Sequence, residues 1–154
     1  MPENKEYKVA VYCRFANEPQ TALYCRTATK TIFGDLGIES QKTRLLRYAE
    51  ENGYANPVLY IDNGEKGSTF DRPAMQRLVD DIEYGNVKTV IVTSTDRIAR
   101  GITLLLEWLV FLKENKARCF SLEIDGKDIR NEFTFWQGFL RDFMPDVSKA
   151  LSVY

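Results

Sequence analysis

VKTVIVTSTDRIAR, Val87 to Arg100, is the stretch that decides the fold. Its first half, Val87 to Thr93, is β-branched at every position but Lys88, the kind of run that suits a parallel strand covered on both faces. Its second half turns polar. Ser94, Thr95 or Asp96 can cap a following helix, and Arg97 and Arg100, three residues apart, would share one face of it. Upstream, PVLYI (Pro57 to Ile61) reads as a second strand and KVAVYCR (Lys8 to Arg14) as another, with Leu23 to Thr27 a weaker candidate. Downstream, Ala117 to Leu122 is a further strand.

Helical periods fill the gaps. Ile38, Leu45, Leu46, Tyr48 and Ala49 fit an amphipathic helix from Ile38 to Asn52, closed by Gly53. Asp71-Arg72-Pro73 opens another, with the aspartate placed to cap its free amides; Met75, Leu78, Val79 and Ile82 share a face, and Gly85 ends it. Ile102 to Asn115 carries Leu105, Trp108, Leu109 and Leu112 on one side. The polar, glycine-bearing stretch Asp62 to Thr69 is expected to be a mobile loop. Strands alternating with helices predict an α/β fold: a mainly parallel sheet of four or five strands with helices on both faces. The last segment, Phe133 to Tyr154, reads as a long helix that Pro145 bends or breaks. Its large apolar residues, Phe133 to Leu151, exceed what one core face needs and predict an oligomer interface.

The 154 residues suit a single domain, 44% hydrophobic and 28% charged, with a net charge of −1. No apolar run is long enough to cross a bilayer, and Met1 to Lys8 lacks the pattern of a signal peptide, so a cytoplasmic location and no membrane partner are expected. The chain contains no histidine and only three cysteines, Cys13, Cys25 and Cys119. That excludes Ser-His and Cys-His catalysis and argues against a zinc site. The near-neutral charge argues mildly against nucleic acid as a partner, without excluding a local basic patch. Such a patch is available. Ligands bind beyond the carboxyl ends of the strands of an open parallel sheet, and Arg14 or Arg26, Arg72, Arg97 and Arg100 could converge there on a phosphate, which suits the planar guanidinium fork. The plainer reading is a set of surface ion pairs with some of the 22 acidic residues.

One oddity remains in the N-terminal region: VYCRFA (Val11 to Ala16) recurs twelve residues later as LYCRTA (Leu23 to Ala28). Tyr-Cys-Arg with a small residue two positions on, Ile38-Glu-Ser-Gln, Tyr60-Ile-Asp-Asn-Gly-Glu-Lys-Gly, Asp71-Arg-Pro-Ala-Met, Asp80-Asp-Ile and Asp96-Arg-Ile-Ala-Arg occur in an order that resembles the catalytic domain of serine site-specific recombinases, the resolvase/invertase group. The resemblance runs from about Val9 to Leu151. It implies a resolvase-like three-layer fold with a long C-terminal interface helix, DNA as partner, homodimers or tetramers through Phe133 to Leu151, and neither metal nor cofactor. It also implies an activity: a serine hydroxyl attacks a backbone phosphate, and arginines stabilise the transition state. Carried over, the functional positions are Arg14 or Arg26, Gln41, Arg72, Asp96, Arg97 and Arg100, with Arg72, Arg97 and Arg100 contacting DNA.

The same resemblance puts the nucleophile at Ala16 or Ala28, and alanine cannot form a phosphoester. A cleavage-deficient or regulatory domain is therefore expected. The alternatives are strand exchange through a substitute hydroxyl, Thr27 or Thr29, and a phosphate- or nucleotide-binding signalling module; no GxGxxG or GKS/T loop supports the latter. Of the two copies, the first has the stronger β pattern and is expected to form the core strand, leaving Thr21 to Gly37 as an inserted segment. The second has the better spacing to Gln41. The chain is expected to be one catalytic domain, 1–154, without a separate DNA-binding domain.

Overall fold

The computed structural model describes residues 19–54, 56–130, 141–146 and 149. The sheet has five strands: β1 (Gln20–Thr27), β2 (Pro57–Asn63), β3 (Val87–Val92), β4 (Arg118–Ser121) and β5 (Lys127–Asp128). They lie in the order β2-β1-β3-β4-β5, all parallel except β5, which pairs antiparallel with β4. Three helices connect them: α1 (Ile32–Glu51), α2 (Pro73–Glu83) and α3 (Ile102–Glu114).

Side-chain alternation splits the sheet into two cores. Ala22 and Tyr24 of β1, with Val90 and Val92 of β3, pack under α2 and α3 against Met75, Leu78, Trp108 and Leu109. Leu23 and Cys25, with Ile91, face the other way onto Ile38, Leu45 and Ala49 of α1. The result is three layers with helices on both faces, as the sequence predicts. Trp108 anchors the first core, 5.6 Å from the Phe111 ring and 6.0 Å from Phe70. Burial of such an aromatic contributes about 1.5–3 kcal/mol.

The central strand is a correction. It is formed by the second copy, LYCRTA, and not by the first; Thr21 to Gly37 is the strand and the opening of α1, not an insertion. The reason is connection length. Gln41 on α1 brackets the Arg26 peptide, its Oε1 accepting from Arg26 N at 3.0 Å and its Nε2 donating to Arg26 O at 2.9 Å. The second copy reaches that partner by a short turn. The strand expected over Lys8 to Arg14, with Arg14 and Ala16, lies outside the described residues.

Other boundaries shift by local chemistry. Helix α1 starts at Ile32, six residues before the expected Ile38. Thr31 is its N-cap and its hydroxyl accepts from Gly34 N at 3.3 Å. Asp71 does not cap α2: the N-cap residue is Arg72 and makes no side-chain capping bond. Asp62, at the end of β2, accepts from Ala74 N at 2.8 Å and Met75 N at 3.0 Å instead. The expected long C-terminal helix and the expected Phe133 to Leu151 interface fall largely outside the described residues; within them, Phe143 is exposed and Met144 packs on the core. No helix among the described residues is long and apolar enough to cross a membrane.

Candidate functional site

Strand order reverses at β1. The chain leaves β1 towards β2 on one side and later returns as β3 on the other, and in open α/β sheets ligands bind beyond the carboxyl ends of the strands at such a point. Arg26 closes β1, and the segment Ser94 to Arg100 follows β3. Both fall at this switch point. Arg72 enters from the start of α2.

Arg26 and Arg72 are each only 1% exposed. Arg26 donates from Nε to Arg97 O at 2.9 Å, from Nη2 to Asp96 O at 2.5 Å and from Nη1 to Glu65 O at 3.0 Å. Arg72 donates from Nη1 to the same Arg97 carbonyl at 2.9 Å and from Nη2 to Ile98 O. The Arg72 guanidinium also lies over the Tyr24 ring, 5.5 Å from its centre. Two buried cations therefore hold the Asp96–Ile98 backbone in place through its carbonyls. Arg97 returns the contact, its Nη1 donating to Arg26 O at 3.1 Å.

Arg97 and Arg100 do not sit on one helix face as expected. Thr95–Arg97 is a single 3-10 turn, Arg100 lies beyond it, and α3 begins only after Gly101, whose φ of 89° breaks the path. The expected helix cap is absent too: the Ser94 hydroxyl donates to the Asp96 carboxylate and accepts from no helix amide. Arg97 is half-buried and Arg100 exposed. These two are the guanidiniums a ligand can reach, whereas Arg72, expected to contact DNA, is committed to main chain.

The electrostatics are lopsided. Burial lowers the Arg26 pKa below the usual guanidinium range, and the positive charge of Arg72 lowers it further. Burial also lowers that of Arg72. Among the described residues, the only carboxylate within 4 Å of these four guanidiniums is Asp96, 3.9 Å from Arg97 Nε. The buried Nε donors of Arg72 and Arg97 have no hydrogen-bond partner. The positive charge of Arg97 and Arg100, set against one carboxylate at 3.9 Å, is what an oxyanion such as phosphate would complete.

Beneath the arginines, Tyr24 Oη donates to Asp62 Oδ2 at 2.6 Å, and Tyr60 Oη donates to Asp81 Oδ2 at 2.5 Å. Burial first, then the carboxylate hydrogen bond, raises both phenol pKa values above the ordinary 10. The unfolded chain releases these protons near pH 10 while the folded chain keeps them. Their stabilising contribution is therefore complete below pH 10 and declines above it, by on the order of 1 kcal/mol per pH unit for each tyrosine. Chemical denaturation at pH 9, 10 and 11 would check this, with Tyr24→Phe expected to flatten the decline.

Thr27 and Ala28 differ sharply. Thr27 shares the α1 side of the sheet with Leu23 and Cys25; its hydroxyl donates to Asn63 Oδ1 at 2.7 Å. It therefore points away from the Arg26 face. Ala28 is exposed and is the first residue past the end of β1, two positions beyond Arg26. Thr29 is exposed, and its carbonyl is 3.5 Å from the Thr27 hydroxyl. Gln41 is buried and holds the Arg26 peptide, so the structure gives it a bracing position. Sequence reasoning missed Asp62 and Gly67. Asp62 appeared only as one letter of a motif, and its role arises from tertiary contact alone. No group of three or more His, Cys, Asp or Glu suited to a metal ion occurs among the described residues.

No curated protein matches the chain significantly. Among solved structures, the N-terminal catalytic domain of TP901-1 integrase superposes with a TM-score of 0.68 at 31% identity, covering 83% of this chain and 98% of that one. A resolvase family site-specific recombinase from Streptococcus pneumoniae gives 0.60 at 28% identity, covering 72% and 76%. The catalytic domain of ISC1926 TnpA, an IS607-like serine recombinase, shares the fold at 0.59 and 19% identity, covering 66% of each chain. The family profile described as "Resolvase, N terminal domain" matches residues 21–144. That span begins within β1 and leaves out the first copy of the repeat. It takes in Arg26, Gln41, Arg72 and the Asp96 to Arg100 segment, and it is by this whole arrangement that the chain belongs to the serine recombinase family, as a resolvase-type N-terminal domain.

Proposed function

We propose that this domain grips DNA phosphates at the switch-point pole but does not cut them. Arg97 and Arg100 meet the phosphate, and Arg26 and Arg72 hold the backbone that carries them. The observation behind this reading is the cluster of four guanidiniums with, among the described residues, one carboxylate within 4 Å, while Arg97 and Arg100 stay open to a ligand.

The inability to cut rests on Ala28. In the serine recombinase pattern that position supplies the nucleophilic hydroxyl, and here it supplies a methyl group. Thr27 is no substitute, because its hydroxyl is engaged by Asn63 on the opposite side of the sheet. The domain then serves as a binding or regulatory subunit in recombination, oligomerising through the Phe133 to Leu151 segment.

The test needs no cognate site. Fluorescence anisotropy on a labelled non-specific duplex, across a salt series, should show binding that weakens as salt rises. Arg97→Ala/Arg100→Ala should bind about ten-fold or more weakly and reduce the log–log salt slope by roughly two. A folded wild-type protein that fails to bind at low salt would overturn the reading and leave an interaction module.

A further inference from the structure

Gly67 lies buried in the loop between β2 and α2. Its φ is outside the left-handed region, so backbone conformation does not demand glycine there. Space does. A Cβ at this position would lie 2.7 Å from Arg26 Nη2, 2.9 Å from Arg26 Cζ and 3.1 Å from Arg100 Cγ. The Gly67 carbonyl accepts from Arg100 N at 2.8 Å. One residue without a side chain thus touches the inner guanidinium of Arg26 and the backbone and side-chain stem of the outer Arg100.

We propose that Gly67 is a positioning residue for the arginine pole, a role that rests on reading that pole as a phosphate site. The missing side chain is the space in which the Arg26 guanidinium lies while it reaches the carbonyls of Glu65, Asp96 and Arg97. The carbonyl fixes where the Arg100 side chain begins. The loop is itself anchored beside Arg26, because Thr27 O accepts from Gly64 N and Glu65 N, both at 2.9 Å. Strand end, loop and arginines therefore move as one piece.

The atoms that would meet an added methyl are side-chain atoms of arginine. That distinguishes Gly67 from Gly34, where a Cβ would lie 1.9 Å from the Thr29 carbonyl oxygen and only the backbone could yield. Alanine at 67 should displace the arginines and leave the fold intact.

Gly67→Ala in the full chain tests this with two readouts. By NMR, the Arg26 Nε–Hε signal should shift and exchange with solvent at least about ten-fold faster, as expected for a broken buried hydrogen bond. The Trp108 indole signal should stay close to wild type, and the thermal midpoint should fall by several degrees without loss of cooperative unfolding, as lost buried charged hydrogen bonds require. In duplex binding, Gly67→Ala should weaken affinity about ten-fold alone but much less in an Arg100→Ala background, the non-additivity of coupled residues. An unchanged Arg26 signal overturns the proposal. So does an equal loss in both backgrounds, or a variant that loses its fold, since packing alone would then explain the glycine. If Arg26 moves but wild-type protein binds no duplex, the phosphate reading fails while the geometric role of Gly67 stands.

Discussion

Asp62→Ala is expected to destabilise the domain by about 3 kcal/mol and to lower its thermal midpoint by roughly 6–12 °C. Asp62 is 2% exposed and accepts three hydrogen bonds, from Tyr24 Oη and from the amides of Ala74 and Met75. Alanine leaves the buried phenol without its acceptor and uncaps the first turn of α2, whose own N-cap residue makes no side-chain capping bond. It also removes the negative charge that favours the buried Arg72 cation. Each loss involves a charged or buried partner, where hydrogen bonds contribute about 1.5–3 kcal/mol. Asp62→Asn keeps one acceptor oxygen and should recover about half of the effect. Thermal and urea denaturation of the two variants would check this; a drop below about 1 kcal/mol for alanine would mean that water replaces the carboxylate.

The contrast between Asp62 and Asp71 shows what the sequence could and could not reveal. Asp71-Arg72-Pro73 is a good local cap signal, and the helix does begin at Pro73. The cap comes from a carboxylate on another element, which no local pattern can announce. The α/β alternation was legible because β3 and the apolar faces of α2 and α3 are written in continuous runs and clear periods. The start of α1 was not: Ile32, Phe33 and Leu36 are exposed, at 71%, 80% and 62%, so they break the buried stripe a periodicity search follows.

The two YCR copies defeated local reasoning for a related reason. β-propensity favours the first copy, since Val9, Val11 and Phe15 are better strand formers than Thr21, Leu23 and Thr27. Propensity is a weak local preference. The Gln41 bracket around Arg26, the register of β1 between β2 and β3, and the three carbonyl contacts of Arg26 act together. Of the site, the arginines were legible as residue types in a recognisable order. Their division of labour was not, because which guanidinium is buried depends on where the Asp96–Ile98 carbonyls point.

Ala28→Ser is expected to produce a covalent protein–DNA adduct where the wild-type chain gives none. Removing a serine nucleophile alone costs on the order of 10⁶-fold in rate in a hydrolase dissected by mutation, so restoring one can lift the reaction from undetectable to visible. The balance is simple. The serine Oγ–P bond forms, a P–O bond to a deoxyribose oxygen breaks, and that oxygen leaves as a hydroxyl with the serine proton. Position 28 suits this attack: it is exposed, and it lies just past the carboxyl end of β1, two residues beyond Arg26. Arg97 and Arg100 are within the same pole to stabilise the charge that develops on phosphorus oxygens. The assay is supercoiled plasmid at low salt with excess protein, quenched in detergent and resolved on a denaturing gel with and without protease. Ala28→Ser should give a protease-sensitive adduct, and Ala28→Ser/Arg97→Ala should give none. Adduct from the wild-type chain would overturn the assignment of Ala28 as the silenced position. A folded, DNA-binding Ala28→Ser protein without adduct would mean that the arginines still hold phosphate, but no longer in the geometry that places it in line with position 28.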